Sequence, residues 1–262
     1  RLETLPVTGA YSPRASHPFN GWFLTVEYET QPKGGSALIT YTYFTQAIVD
    51  SKTQQPSGYE LLLRAWNAEQ NAWLLPHDFE ITVKMQMRMM KHVLRNLPIK
   101  NVSINLTAKQ FAAEDTMQQL ITFAGRTPDL GNLTVELTQA PTLEEIQTIG
   151  QQYRQSGIGL ALDDVGTDLD DFELVKQLTP HVDMLKYALQ NMRDLDRVAE
   201  APTDIPRWKA LANDAGVDFT LEGIESFQDV QLAHHLGINW LQGFYFSRPA
   251  EKLQTSENTP LL

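Results

Sequence analysis

The chain has 262 residues, 42% of them hydrophobic, and carries 21 Lys and Arg against 32 Asp and Glu, a net charge of −11. That length suits a single α/β barrel and does not call for two domains. The acidic balance argues against a duplex nucleic-acid binder, which needs basic side chains to neutralise phosphates, and the absence of Cys excludes disulfides, thiolate catalysis, zinc–thiolate sites and iron–sulfur clusters. A small phosphorylated ligand stays compatible, because a metal, one Arg and one Lys can meet its charge locally. No apolar run reaches the roughly 18 residues that span a bilayer. Residues 1–16 are polar and lack the apolar core of a signal peptide. The expected setting is cytoplasmic.

In chain order, two strand-like runs come first, 22–28 and 37–49. The turn cluster Pro32-Lys33-Gly34-Gly35 between them predicts a hairpin. Short apolar or β-branched runs then recur at 60–63, 102–106, 133–137, 159–162, 184–185, 219–221 and 240–241. Helical patterns over 79–94, 143–155, 169–178, 205–215 and 227–236 separate most of them. Strand alternating with helix predicts a parallel sheet with crossover helices, and about eight units in this length predict a closed α/β barrel. The expected organisation is an extension and hairpin over 1–35, a barrel over 36–251 and a polar tail over 252–262.

Polar groups stand at nearly every strand end: Gln46, Glu60 with Arg64, Asn105, Glu136, Asp163 with Asp164, Lys186, Glu222 and Gln242. In a (β/α)8 barrel these ends open onto one face, where active sites are built. Five carboxylates converging there cannot all stay ionised without cations. Oxygen ligands of this kind suit Mg²⁺ or Mn²⁺ rather than zinc. Each residue alone has a plainer reading: Glu60 as a rim residue, Asp163-Asp164-Val165-Gly166-Thr167-Asp168 as a turn, Asn105-Leu106-Thr107 as a helix cap, Lys186 as a surface lysine. Regular placement at strand ends favours the metal cup. A zinc-protease frame is absent, and the adjacent His234 and His235 point about 100° apart on a helix.

The order of these residues resembles the EAL domain family. Gln46-Ala47-Ile48-Val49-Asp50 is similar to QPIVD, and Glu60-Leu61-Leu62-Leu63-Arg64 to the EALLR signature. Val102-Ser103-Ile104-Asn105-Leu106-Thr107 resembles VSVNLS, and Leu133 to Gln139 resembles LEITES. Asp163 to Asp168 is similar to DDFGTG, Leu185-Lys186 to the start of IKID, and Leu221-Glu222-Gly223-Ile224-Glu225 to AEGVE. The stretch from Leu241-Gln242-Gly243 to Pro249 resembles QGYLFSxP. The resemblance implies a TIM-like (β/α)8 barrel that hydrolyses cyclic di-GMP to linear pGpG with two divalent ions, Mg²⁺ or Mn²⁺, as a homodimer. It implies that Glu60, Asn105, Glu136 and Asp163 hold one ion, and that Asp163, Asp164 and Glu222 hold the second. Lys186 and Glu222 would act on the attacking water. Arg64 would meet a phosphate, Gln46 and Leu62 would line the ligand groove, and Gln242 would form the floor.

Departures from the family pattern cluster near one loop. Val165 and Asp168 replace Phe and Gly in the segment that includes Gly166 and Thr167, Gln139 replaces the Glu that anchors the loop, and Ala188 stands where IKID has Asp. Glu225, in the AEGVE-like segment, joins the residues expected to control the loop. An Asp at position 168 would be strained if the backbone there required positive φ. These departures favour an alternative reading, a non-catalytic cyclic di-GMP receptor or protein-interaction module. A third reading is some other metal-dependent barrel hydrolase or lyase.

Overall fold

The computed structural model describes residues 26–30, 37–76, 79 and 81–251. The strands are β1 (Val26–Thr30), β2 (Ala37–Asp50), β3 (Pro56–Asn67), β4 (Ala72–Leu74) and β5 (Val102–Leu106), then β6 (Leu133–Leu137), β7 (Ile158–Leu162), β8 (Met184–Ala188), β9 (Asp218–Glu222) and β10 (Trp240–Gln242). Eight of them close a barrel in the order β2-β10-β9-β8-β7-β6-β5-β3, sealed by pairing of β2 with β3. β1 and β4 add to the free edges of β2 and β3.

The barrel is mixed rather than wholly parallel, which corrects the expectation from strand–helix alternation. β2 runs antiparallel to both β3 and β10, while the other neighbours pair in parallel. The reason is local. β2 and β3 are joined by a short turn in which Asp50 Oδ1 accepts from Lys52 N and Thr53 N, and Gln54 takes φ 55°. A parallel pair would need a crossover of a dozen or more residues. The expected entrance hairpin is present as β1 paired with β2, Val26 opposite Tyr41 and Thr30 opposite Ala37. Its turn, the segment before it and the tail over 252–262 lie outside the described residues.

Alternation along the strands sorts side chains between two environments. Val102, Ile104 and Leu106 of β5, Leu133, Val135 and Leu137 of β6, and Ile158, Leu160 and Leu162 of β7 form one buried apolar set that packs under the helices. The opposite face, toward the barrel axis, carries small or polar residues: Ser103 and Asn105, Thr134 and Glu136, Gly159 and Ala161, Lys186 and Ala188, Thr220 and Glu222. Each apolar outward position gains the usual 1.5–3 kcal/mol or so of burial, and the inner face is left free for chemistry at its upper end.

Helices follow the sequence pattern with shifts set by caps. The first spans Val83–Leu94 rather than 79–94, because Thr82 caps it by accepting from Met85 N. Thr107, not Asn105, caps the helix after β5, with Gln110 completing a capping box. Helices over Glu114–Arg126 and Leu189–Asp194 add to those read from the pattern. Among the described residues no helix is long and apolar enough to cross a membrane.

Just past β10 the chain is pressed against the turn after β9. Ile224 N donates to Gln242 O at 3.0 Å and Tyr245 N to Ile224 O at 2.9 Å. A β-carbon on Gly243 would stand 2.2 Å from both Ile224 N and Ile224 O. Gly243→Ala is expected to lower stability by about 3 kcal/mol, read by thermal denaturation. Gly125→Ala, whose β-carbon meets nothing within 4 Å, should leave the Tm unchanged or raise it.

Candidate metal centre

Lys186 sits at the centre of the barrel mouth with no solvent exposure. Its Nζ lies 2.6 Å from Glu222 Oε1, 2.7 Å from Glu136 Oε2, 3.3 Å from Asp163 Oδ1 and 3.8 Å from Glu60 Oε2. Four strand ends, those of β3, β6, β7 and β9, therefore deliver carboxylates to one ammonium from β8. The parallel registers bring this about: Asn105 is level with Glu136 and Ala188 with Glu222. The sequence-expected residues Glu60, Asn105, Glu136, Asp163, Lys186, Glu222 and Gln242 meet in this cup.

Amides complete one side of it. Glu60 Oε1 accepts from Asn105 Nδ2 at 2.8 Å, and Glu60 Oε2 accepts from Gln242 Nε2 at 2.6 Å. Gln242 Nε2 also approaches Gln46 Oε1 at 3.3 Å, and Gln46 Nε2 donates to Ser247 O at 3.0 Å. Asn105 Oδ1 and Gln242 Oε1 are buried with no hydrogen-bond partner. A buried amide oxygen left unpaired costs roughly 1–3 kcal/mol.

Electrostatics point the same way. Four buried carboxylates around one ammonium leave three negative charges in excess if all ionise. Burial pushes the Glu136 carboxyl up to about 8, opposed in part by Lys186. It also raises Asp163 and lifts Glu222 well above the usual carboxylate range. Burial and then the neighbouring Asp163 bring Asp164 to about 7. Glu60 differs: burial raises it, but Lys186 with the Gln242 and Asn105 hydrogen bonds outweighs this and holds it below its ordinary value. Burial disfavours the charged Lys186, yet Asp163, Glu136 and Glu222 keep its pKa well above normal. Oxygens of Asp163, Asp164 and Glu222 all lie within 4.8 Å of one another. Carboxyl groups that one ammonium cannot keep ionised, an unpaired amide oxygen and their convergence fit hard divalent cations, which would ionise them on binding.

The loop after β7 places Asp164 by backbone strain in a position Asp tolerates. Asp164 takes φ 55° and Gly166 φ 88°, while Asp168 is not among the positive-φ residues. The strain expected at Asp168 is thus absent. Gly166 is required: its β-carbon would lie 2.8 Å from Tyr187 Cε2 and 2.9 Å from Trp208 Nε1. Val165 is fully buried and donates its N–H to Lys186 O at 3.0 Å. Asp168 is exposed, and Gln139 is an exposed rim residue that makes no hydrogen bond to the loop. Anchoring comes instead from Asn191, whose Nδ2 donates to Asp164 Oδ1 at 2.8 Å and approaches Thr167 Oγ1 at 3.3 Å.

Asn191 carries no motif and was not legible in the sequence; it lies in the helix Leu189–Asp194 that begins where β8 ends. Arg193 of the same helix donates to Gly223 O at 2.6 Å and pairs with Asp229 at 2.8 Å. Glu225 faces this arginine at 3.8 Å rather than the loop after β7. Arg64 and Leu62 lie on β3, on the inner face with Glu60. Arg64 is half-buried, 5.5 Å above the Phe44 ring, and its Nη1 donates to Leu63 O at 2.9 Å.

The protein is thus a mixed (β/α)8 barrel whose mouth holds a lysine-centred cup of acidic side chains suited to hard cations. The chain belongs to the EAL domain family, whose model matches residues 40–249. It is similar to the probable cyclic di-GMP phosphodiesterase PdeD of Escherichia coli, 24% identical over 82% of this chain and 42% of the relative. It is also similar to the cyclic di-GMP phosphodiesterase PdeL of that organism, 25% identical over 78% of this chain and 61% of the relative. The chain thus spans less than two thirds of these relatives. The fold is shared with a standalone EAL protein from Vibrio cholerae in a c-di-GMP-bound form, with TM-score 0.69 and 21% identity over 82% of this chain and 94% of the other. The Bacillus subtilis YkuI protein, in complex with c-di-GMP and calcium, gives TM-score 0.67 at 21% identity over 82% and 57%.

Removing the central ammonium leaves its carboxylates buried and uncompensated. Lys186→Met is expected to lower stability without added metal by about 3–5 kcal/mol. Adding Mn²⁺ should raise the variant's Tm by more than that of the parent in the same thermal scan.

Proposed function

We propose that this chain hydrolyses cyclic di-GMP to linear pGpG with Mg²⁺ or Mn²⁺. The observation that carries the reading is the excess of buried carboxylate around Lys186, beside the unpaired Asn105 Oδ1. The phosphodiesterases named among its relatives support it. Glu60, Asn105, Glu136 and Asp163 would hold one ion, and Asp163, Asp164 and Glu222 the other. Bound there, two divalent ions neutralise a phosphodiester and acidify water.

The remaining tasks fall to the chain itself. Arg64 meets a phosphate oxygen, with Gln46 and Leu62 along the groove and Gln242 beneath it. The Lys186 ammonium, fixed by its carboxylates, donates a hydrogen bond to the water. The Glu222 carboxyl, beside the Lys186 Nζ and ionised once cations offset its burial, orients that water and accepts its proton. Water adds to phosphorus, one ester P–O bond breaks, and the departing ribose oxygen takes up a proton. Asn191 is a positioning residue that holds Asp164. A barrel unit over 36–251, a homodimer through the face near the Asp163–Asp168 loop and a cytoplasmic setting belong to the same reading.

Incubation with cyclic di-GMP and Mg²⁺ or Mn²⁺, followed by chromatography, should yield pGpG; Glu60→Ala should abolish it. Metal-dependent product that persists in Glu60→Ala would remove the cup from the reaction.

One observation favours a receptor with weakened catalysis. Ala188 is fully buried, on the inner face with Lys186, opposite Glu222, where the family pattern has Asp. The cup therefore lacks a carboxylate next to the Asp163–Asp164–Glu222 oxygens, and losses of this sort change activity by about 10–100-fold. On the receptor reading, wild type binds cyclic di-GMP with little turnover, and Ala188→Asp raises product formation at least about 10-fold. Equal turnover in the two would remove position 188 as the limit.

A further inference from the structure

β2 and β3 outrun the barrel. β3 pairs with β5 only as far as Leu61 opposite Ile104, and β2 pairs with β10 only over Ile48 to Asp50. Beyond those points, β1, β2, β3 and β4 form an antiparallel ribbon that projects past the mouth of the cup. Its two faces follow from register. Gln46 lies opposite Glu60, Phe44 opposite Leu62, Thr42 opposite Arg64, and Trp66 opposite Trp73. These pairs share the face that bears Glu60. The other face is turned to the helix shell, where Tyr43 OH donates to Gln86 Oε1 of the helix Val83–Leu94.

The inner face of the ribbon is thus a continuation of the cup wall, and its composition is unusual. Phe44, Trp66 and Trp73 are all half-buried. Trp66 and Trp73 meet edge-to-face at 5.3 Å and 68°, and Phe44 and Trp73 at 6.4 Å and 64°. The Arg64 guanidinium stands 5.5 Å over Phe44. At about 3.3 Å per residue, Leu62 and Phe44 lie one pair, about 7 Å, beyond the acidic cup. The wall begins next to the acidic cup and joins aromatic rings with one cation, the combination that stacks nucleobases and attracts their phosphates.

We propose that Phe44 and Trp73 form a stacking wall for a guanine base of the nucleotide whose phosphate lies at the acidic cup, with Arg64 bridging wall and phosphate. The proposal rests on the cyclic di-GMP reading above and adds the residues that grip the base. The wall sets affinity for the nucleotide and leaves the affinity of the cup for metal unchanged.

The test uses the intact chain, with cyclic di-GMP titrated by calorimetry in Ca²⁺ buffer and Mn²⁺ titrated separately. Trp73→Leu and Phe44→Leu, which keep apolar volume and lose the ring, should weaken cyclic di-GMP binding about 5- to 100-fold with Mn²⁺ affinity unaltered. Trp73→Phe should retain most of the binding, which separates loss of stacking from misfolding. Nucleotide should also quench tryptophan fluorescence in wild type, and less so in Trp73→Leu. Wild-type nucleotide affinity in both Leu variants overturns the stacking wall while leaving the phosphodiesterase reading in place. A wild-type chain that binds Mn²⁺ but no cyclic di-GMP overturns both.

Discussion

Everything at the mouth of this barrel is organised around one buried ammonium. Lys186 is enclosed by carboxylates from four other strands, two of them within 2.7 Å of its Nζ. Withdrawing a lysine and its partners from water is expensive, and their mutual attraction offsets this only when geometry is good and remaining lone pairs are met. Here the geometry is good for the lysine and incomplete for the carboxylates. Burial forces part of the cup toward its protonated form, while Glu60, supported by two amides, stays ionised. An acid cluster held in that state has a standing preference for multivalent cations.

The same constraint explains the surrounding backbone. Asp164 is held in a left-handed conformation by the turn that ends at Leu169, whose N–H returns to Asp164 O at 3.2 Å. Gly166 passes over Tyr187 and Trp208, which both donate to Asp204 Oδ2, at 3.0 and 3.2 Å. The helix Leu189–Asp194 ties the ends of three strands together: it leaves from β8, holds Asp164 beyond β7 through Asn191, and holds Gly223 beyond β9 through Arg193. A displacement of this helix would be felt by both Asp164 and Glu222.

Divergence from the family pattern therefore has an uneven structural meaning. Val165 is absorbed into the core, and Asp168 and Gln139 sit at the rim without straining or anchoring the loop. Ala188 alters the cup itself, because its inward position beside Glu222 is where a side chain would join the oxygen set. The substitutions most visible in the loop motif are not the ones closest to the chemistry.

The rhythm of strand and helix, the polar group at each strand end and the ordered motifs of the EAL family are legible in the amino-acid order, because period-two burial and turn chemistry are written locally. Gln46, Glu60, Asn105, Glu136, Asp163, Lys186, Glu222 and Gln242 could be picked out for that reason. Folding in three dimensions settles that β2 runs against its neighbours, that the strain falls on Asp164 rather than Asp168, that Asn191 rather than Gln139 anchors the loop, and that Phe44 and Trp73 share a face with Glu60. These depend on register and on contacts between residues far apart in the chain. A side chain's own neighbours in sequence carry no record of which strand will lie opposite it, and that pairing is what set Glu222 beside Lys186.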